Sequence, residues 1–248
     1  MKSTNHPVVT LSLISILALF GIPVCAQQDA SATSQPPAIT AIDILLEPDA
    51  TMLEHCKADN ARLLGVYAKD FALDATHTPH ITMLQCFVRT ANLDKVYAAE
   101  EKVFAAAIVA AMKLDAFKRY YIPAGGGLGV AGICAKPTPE ILKLQTDIIA
   151  AASPFNLRDG PIGAFTAGHD NPALDAAIIR YVSTFEQIGA GDKFNPHVST
   201  GTAPTAYLDK MIAEPFEPFI FTPTSAAVYQ LGPFGTAAKK LKKWDLNR

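Results

Sequence analysis

The sequence carries the same four-residue pattern twice. Pro79-His80-Ile81-Thr82 lies within TPHITMLQCFV (residues 78–88), and Pro196-His197-Val198-Ser199 lies within FNPHVSTGTAP (residues 194–204). Each copy reads proline, histidine, an aliphatic residue and a hydroxyl residue, and each follows a predicted helix and a turn. The second histidine follows the first by 117 residues. This spacing is about half the length of the predicted mature chain.

Both copies have the composition of a β-strand start. Side chains alternate along a strand, so the histidine and the hydroxyl residue of each copy share one face. The aliphatic residue between them is predicted to point into a hydrophobic layer behind the sheet. Each copy therefore offers one imidazole and one hydroxyl, side by side, at a sheet surface. The pairs are His80 with Thr82, and His197 with Ser199.

Two such pairs facing each other would suit the hydrolysis of a phosphodiester. The reaction needs a base for water's proton and an acid for the departing oxygen, and histidine can fill either role near neutral pH. The hydroxyls of Thr82 and Ser199 can hold phosphate oxygens. No metal or other cofactor is required. The simpler alternative is a pair of strand histidines that each bond a neighbouring hydroxyl without doing chemistry.

Strands and helices alternate irregularly around the two motifs. Strands are predicted over residues 39–46, 81–88, 117–122, 130–135, 216–221 and 226–231 and at His197. Helices are predicted after a Thr51-x-x-Glu54 capping box, over 93–108, after Thr138, from Asn171 with Asp170 as a capping residue, and over 205–212. The basic tail Lys239-Lys240-x-Lys242-Lys243 is predicted to be a solvated end. This mixture predicts an α+β fold with antiparallel or mixed sheets.

The motif segments and the closing stretch AAVYQLGPFGTAAKKL (residues 226–241) resemble the 2H phosphoesterase superfamily, in its 2′-5′ RNA ligase-like and cyclic phosphodiesterase group. The resemblance covers roughly residues 39–231. It implies two pseudo-symmetric lobes whose motifs face each other across a central groove, with helices on the outside. It further implies metal-free action on 2′,3′-cyclic or related RNA-type phosphodiesters. The residues carried over by position are His80, Thr82, His197 and Ser199.

The N-terminus reads as a targeting segment. An apolar run over residues 8–24 follows Lys2 and ends in Val24-Cys25-Ala26, which predicts a signal peptide cleaved after residue 26. Residues 27–37 form a polar, proline-terminated linker that is predicted to be disordered, and residues 38–248 form the folded domain. The protein is accordingly expected to be periplasmic or secreted, without stable membrane association after cleavage. Cleavage would leave three cysteines, Cys56, Cys86 and Cys134. They allow at most one disulfide, and its pairing stays open.

The composition restricts the classes of molecule that this protein is expected to bind. The net charge of −2 argues against a broad nucleic-acid-binding surface, so the expected partner is a small nucleotide or the phosphodiester at an RNA end. No protein partner is indicated. A non-catalytic periplasmic protein that binds nucleotides or phosphate esters is the alternative function.

Two other patterns carry weaker expectations. A zinc site could combine His77-x-x-His80 with His55 and Cys56, although this spacing does not put both rings on one strand face. Gly127-x-Gly129-x-x-Gly132 matches a dinucleotide fingerprint literally. A strand rather than a helix is predicted to follow it, which favours a glycine-rich hairpin.

Overall fold

The computed structural model describes residues 38–107, 109–169 and 171–246. The predicted signal peptide and linker (residues 1–37) and Asp170, predicted to cap a helix, lie outside this part of the chain. The described residues form strands and α-helices with these bounds: β1 Ile39–Pro48, α1 Ala50–Val66, β2 Ile81–Arg89, α2 Leu93–Ala106, β3 Leu114–Gly125, β4 Leu128–Ala135, α3 Pro139–Ala152, β5 Asn156–Leu157, α4 Pro172–Ser183, α5 Phe185–Gly189, β6 His197–Pro204, α6 Thr205–Ala213, β7 Phe219–Phe221, β8 Pro223–Leu231 and β9 Ala237–Asp245.

The strands form two antiparallel sheets. The first has the order β5-β2-β1-β8-β9 and the second the order β6-β4-β3-β7. Every neighbouring pair runs antiparallel. The predicted α+β class is confirmed. The two motifs fall on different sheets, because the first opens β2 and the second opens β6.

Helices connect the two sheets. Helix α1 joins two strands of the first sheet, yet it packs chiefly along β6 of the second. Helix α3 follows β4 of the second sheet and packs on α2 and on β2 of the first. One hydrophobic core therefore lies behind both motifs. Ile81 and Val198, the aliphatic residues between histidine and hydroxyl, are 1% and 0% exposed in this same core, as their motif positions predict.

The predicted start of α1 is wrong by two residues. The N-cap is Asp49 rather than Thr51, because one Asp49 oxygen accepts from the backbone N–H of Met52 at 3.2 Å. The other carboxylate oxygen accepts from the backbone and hydroxyl of Thr222, between β7 and β8. This long-range contact selects the cap and is invisible to local sequence rules. The predicted cap Thr138 of α3 is confirmed, and α4 is capped by Asn171, the residue from which it was predicted to begin.

The basic segment near the C-terminus is not the solvated end that its lysines suggested. It forms β9, an edge strand paired with β8. Leu241 and Trp244 pack against the core, and the Lys240 ammonium lies 2.7 Å from the Glu47 carboxylate. The lysines on this edge strand oppose edge-to-edge association with another sheet.

The glycine-rich segment is a hairpin, as predicted. Gly125, Gly126 and Gly127 connect β3 to β4 with φ values of 85°, 59° and 76°, in the left-handed region that favours glycine. Because β4 follows directly, no helix N-terminus is present here for a dinucleotide pyrophosphate.

The three cysteines of the domain are buried and free. Cys56 and Cys86 lie in the core behind the sheets, and Cys134 lies on β4. Burial raises the pKa of the Cys56 and Cys86 thiols far above the ordinary value. These thiols therefore behave as small apolar core residues.

Candidate functional site: a groove with two histidines

The first motif holds its imidazole by the backbone. Nδ1 of His80 donates to the carbonyl oxygen of Thr78 at 2.6 Å. Since a carbonyl only accepts, Nδ1 carries a proton and Nε2 is the atom left for chemistry. The His80 side chain is 11% exposed, at the start of β2.

The second motif repeats this arrangement. Nδ1 of His197 donates to the carbonyl oxygen of Asn195, also at 2.6 Å and also two residues earlier. The edge of the ring packs against Tyr120 of β3, with centroids 4.9 Å apart. The two proline-histidine turns therefore present their imidazoles in the same pose.

A buried carboxylate distinguishes the first motif. Asp43, on β1, is completely buried, and its Oδ2 lies 3.3 Å from Nε2 of His80. The same oxygen accepts hydrogen bonds from the Thr82 hydroxyl and the Gln85 amide, both at 2.9 Å. In the sequence, Asp43 is only the single charge of a predicted strand. That charge amid apolar residues was the signal that could have pointed to it, because buried carboxylates are rare unless paired.

The two imidazoles differ in proton affinity. Burial lowers the pKa of His80, but the hydrogen bond and charge of Asp43 outweigh burial and raise the pKa above its ordinary value. Burial lowers the pKa of His197, and the nearby charge of His80 lowers it further, so the net direction is downward. At any given pH, the structure therefore favours the charged form of His80 over the charged form of His197, and each imidazole lies within the electrostatic field of the other.

The two hydroxyls also differ. Thr82 directs its proton to Asp43, whereas Ser199 is half-buried and pairs across the sheet with Gly132. A Cβ at Gly132 would lie 2.7 Å from the Val198 carbonyl oxygen, so glycine permits this close approach of β4 to the second motif. The register of this strand pair shifts between Ala131 and Gly132.

Asn60 of α1 ties together the segments that flank the two motifs. Its amide donates to the carbonyls of Phe71 (3.0 Å) and Thr200 (2.9 Å), and its Oδ1 accepts from the backbone N–H of Leu73 (3.2 Å). Phe71 and Leu73 precede the first motif, and Thr200 follows Ser199. No local sequence pattern signals this role of Asn60.

Two tyrosines near the histidines also had no sequence signal. Tyr120 packs on His197, and burial raises its pKa. Burial and then the charge of Asp43 raise the pKa of Tyr181, on α4, which puts its phenol within the field of the first motif. These phenols stay protonated and can donate hydrogen bonds.

The residues of the alternative zinc site are not brought together. His55 stacks on Phe219, with ring centroids 3.8 Å apart, and Cys56 lies in the core. His77 stacks on Phe71, with centroids 4.7 Å apart. Within residues 38–107, 109–169 and 171–246, no group of three or more histidine, cysteine or acidic side chains is placed to hold a metal ion.

Comparison with known proteins gives a likeness in structure but not in sequence. No family model matches the chain, and no curated protein matches it. The crystal structure of TT0787 of Thermus thermophilus matches with a TM-score of 0.50 and 15% identity, over 84% of this chain and 98% of that one. Escherichia coli LigT complexed with phosphate (TM-score 0.40, 12% identity, 85% and 99% covered) and Kluyveromyces marxianus Usb1 (0.39, 10%, 82% and 97%) are more distant. The predicted 2H phosphoesterase-like fold, with its two antiparallel sheets, is confirmed.

Proposed function

We propose that this protein is a metal-independent phosphodiesterase of the 2H phosphoesterase superfamily, acting on 2′,3′-cyclic or related RNA-type phosphodiesters. One observation carries the proposal. Two imidazoles, each fixed through Nδ1 by a carbonyl two residues earlier, lie within the electrostatic field of one another, and their pKa values are shifted in opposite directions. A hydrolase that uses two histidines as its acid and its base needs one charged and one neutral imidazole.

The reaction follows from these two protonation states. The neutral imidazole takes a proton from water as the water oxygen forms a bond to phosphorus. The charged imidazole gives its Nε2 proton to the ester oxygen as the phosphorus–oxygen bond breaks. A cyclic diester opens to a phosphate monoester, and the pair of histidines ends with its protons exchanged. The second proton of the water stays on the new phosphate oxygen or is lost to solvent. The imidazole that acted as base then releases its proton to solvent, and the imidazole that acted as acid takes one up, which restores the starting state.

The rest of the groove suits a small anionic substrate. The hydroxyl of Ser199 and the phenols of Tyr120 and Tyr181 are donors near the imidazoles, and hydroxyl donors stabilise developing charge on phosphate oxygens. With a net charge of −2, a nucleotide or an RNA end fits this site better than a long polyanion does. No cofactor and no protein partner enters the proposal.

Turnover separates this proposal from the alternative of a non-catalytic binding protein. Purified protein is incubated with a hundredfold excess of 2′,3′-cyclic AMP in EDTA, and phosphorus NMR follows the ring-opened monoester. We expect many turnovers per protein molecule, and none in the His80→Ala/His197→Ala double variant. Stoichiometric binding of the nucleotide without product would support the binding protein. The NMR spectrum also distinguishes a 2′- from a 3′-phosphate product.

We further propose that the enzyme acts outside the cytoplasm. The support is the apolar run over residues 8–24 and the cleavage pattern that ends at Ala26. Within the part of the chain that the structure describes, no helix has the length and apolar character to cross a bilayer. N-terminal sequencing of the protein from a periplasmic extract tests the proposal. A mature chain beginning at Gln27 is expected, and an intact Met1 in the cytoplasmic fraction would contradict it.

A further inference from the structure

We propose that Asp43 is the positioning residue that divides the work between the two imidazoles, making His80 the general acid and leaving His197 as the general base. The inference rests on the proposed phosphodiesterase function and deepens it. Nothing in the repeated motif assigns these roles, because both copies hold Nδ1 in the same way.

The Asp43 carboxylate contacts the first motif, and its charge reaches His197 of the second motif only at longer range. Its carboxylate is 0% exposed, and Oδ2 is fixed by hydrogen bonds from Thr82 and Gln85. Gln85 is itself anchored, since its amide also donates to the carbonyl oxygen of Gly235 at 3.2 Å. These donors are neutral, so they orient the carboxylate without cancelling its charge.

The positive charge that balances the buried Asp43 carboxylate comes from His80. Oδ1 of Asp43 has no hydrogen-bond partner among the described residues. The only described side chain in contact with the carboxylate that can carry a positive charge is the His80 imidazole, at 3.3 Å. A buried carboxylate that lacks a counter-charge is costly, so the charged form of His80 is favoured. His197 has instead the Tyr120 ring at its side, and no acidic side chain of the described residues is in contact with it.

Other charges around Asp43 do not reverse this assignment. Glu47, further along β1, adds to the field at His80 but is held by Lys240, Ser225 and Tyr229. Tyr181 on α4 and Tyr229 on β8 keep their protons, because burial raises the pKa of both phenols.

Across the groove, β6 contributes His197. Its charged form would compete with His80, and it is disfavoured by burial.

The division of labour follows directly. Asp43 holds a proton on Nε2 of His80 until the ester oxygen departs and takes it. The neutral His80 that results stands beside the buried carboxylate, so it regains a proton readily. His197 starts neutral and can take the proton of water. Asp43 itself does not touch the phosphodiester.

Histidine protonation is measured directly by nitrogen-15 NMR, without substrate. In the wild-type protein, we expect His80 to keep its second proton to higher pH than His197. In Asp43→Asn, the proton affinity of His80 should fall by about tenfold or more, the usual effect of losing an opposite charge within about 4–6 Å. Glu100→Gln is the matched control, because Glu100 is also a fully buried carboxyl, on α2, and its pKa is raised by burial alone. This control should leave both histidines unchanged.

Kinetics supply the second readout. In Asp43→Asn, the alkaline limb of kcat/KM for 2′,3′-cyclic AMP should move to lower pH. The acid limb, set by His197, should move less, because the charge of Asp43 reaches His197 without a contact. If the wild-type titration shows His197 protonated at higher pH than His80, the inference is overturned, whether or not the variant folds. An unchanged His80 titration in a folded Asp43→Asn variant overturns it as well. If the titrations agree but no diester is hydrolysed, the function fails while the coupling of Asp43 to His80 stands.

Discussion

The two motif regions are alike in backbone and unlike in charge. In both, a proline-histidine turn lets Nδ1 donate to a carbonyl two residues earlier at 2.6 Å, and the next residue enters the common core. Only the first meets a carboxylate, Asp43, supplied by the neighbouring strand β1. The repeated tetrapeptide thus sets the pose of each imidazole, whereas the neighbouring strand sets its proton affinity.

Because only one motif lies beside a carboxylate, the two otherwise similar imidazoles differ in proton affinity. Two identical histidines at the same pH would favour equal protonation, and only part of the population would hold one proton between them. A raised pKa at His80 and a lowered pKa at His197 enlarge the pH window in which one is charged and the other neutral. Within that window, one imidazole can donate a proton while the other can accept one.

The largest expected effect comes from removing either imidazole. His80→Ala and His197→Ala should each lower kcat by about 10²–10⁴-fold, the usual loss for a positioned acid or base. The residual activity sharpens the comparison. Without His197 the acid limb of the pH profile should disappear, and without His80 the alkaline limb should disappear. His55→Ala, whose ring stacks on Phe219, is the control and should keep wild-type turnover. Wild-type activity in either folded groove variant would end the two-histidine mechanism.

The next largest effects are expected from the two hydroxyl residues, and they should differ between the two motifs. Ser199→Ala is expected to lower kcat/KM by about 10–10³-fold, since it removes a donor to phosphate. The Thr82 hydroxyl donates its hydrogen bond to Asp43, so Thr82→Val should lower kcat/KM less than Ser199→Ala does. It should instead shift the alkaline limb of the pH profile. Steady-state kinetics across pH make the comparison, with Ser183→Ala on α4 as control. Identical profiles for the two variants would show that the motifs work symmetrically.

A smaller effect is expected from the residue that links the two regions. Asn60→Ala leaves the carbonyls of Phe71 and Thr200 and the N–H of Leu73 without their side-chain partner. The free energy of unfolding should fall by about 1–3 kcal/mol, the cost of buried groups left unpaired. Asn156→Ala removes an exposed bond to Glu186 and should change it by less than about 0.5 kcal/mol. Urea denaturation measures both, and equal midpoints would deny Asn60 this role.

The smallest expected effect is that of chelation. EDTA should leave the rate and the bell-shaped pH profile unaltered, because water's proton is taken by an imidazole and no metal-bound hydroxide is needed. Both limbs should fall in the histidine range, roughly pH 5 to 8. Activity that is lost in EDTA and restored by Zn²⁺ would contradict this mechanism and return attention to His55, Cys56 and His77.

Local rules predicted most of the secondary structure and failed where a distant residue intervened. Helix α3 begins at its predicted cap, because Thr138 satisfies a backbone N–H of its own first turn, and Asn171 does the same for α4. Helix α1 begins earlier than its local pattern predicts, because Asp49 gains a contact with Thr222 far along the chain. The local sequence predicts a solvated end where β9 forms, because its paired lysines give no strand pattern and the strand is defined only by its pairing with β8.

The sequence by itself determined the four motif residues, the burial of Ile81 and Val198, and the α+β class, because each depends on side-chain alternation within a few residues. Only the tertiary structure decided which of the two motif histidines has the higher proton affinity. Asp43 lies 37 residues before His80 in sequence and meets it only because β1 pairs with β2 in a register that places the carboxylate beside the motif. Proton affinity depends on distance and burial in space, and a linear sequence specifies neither.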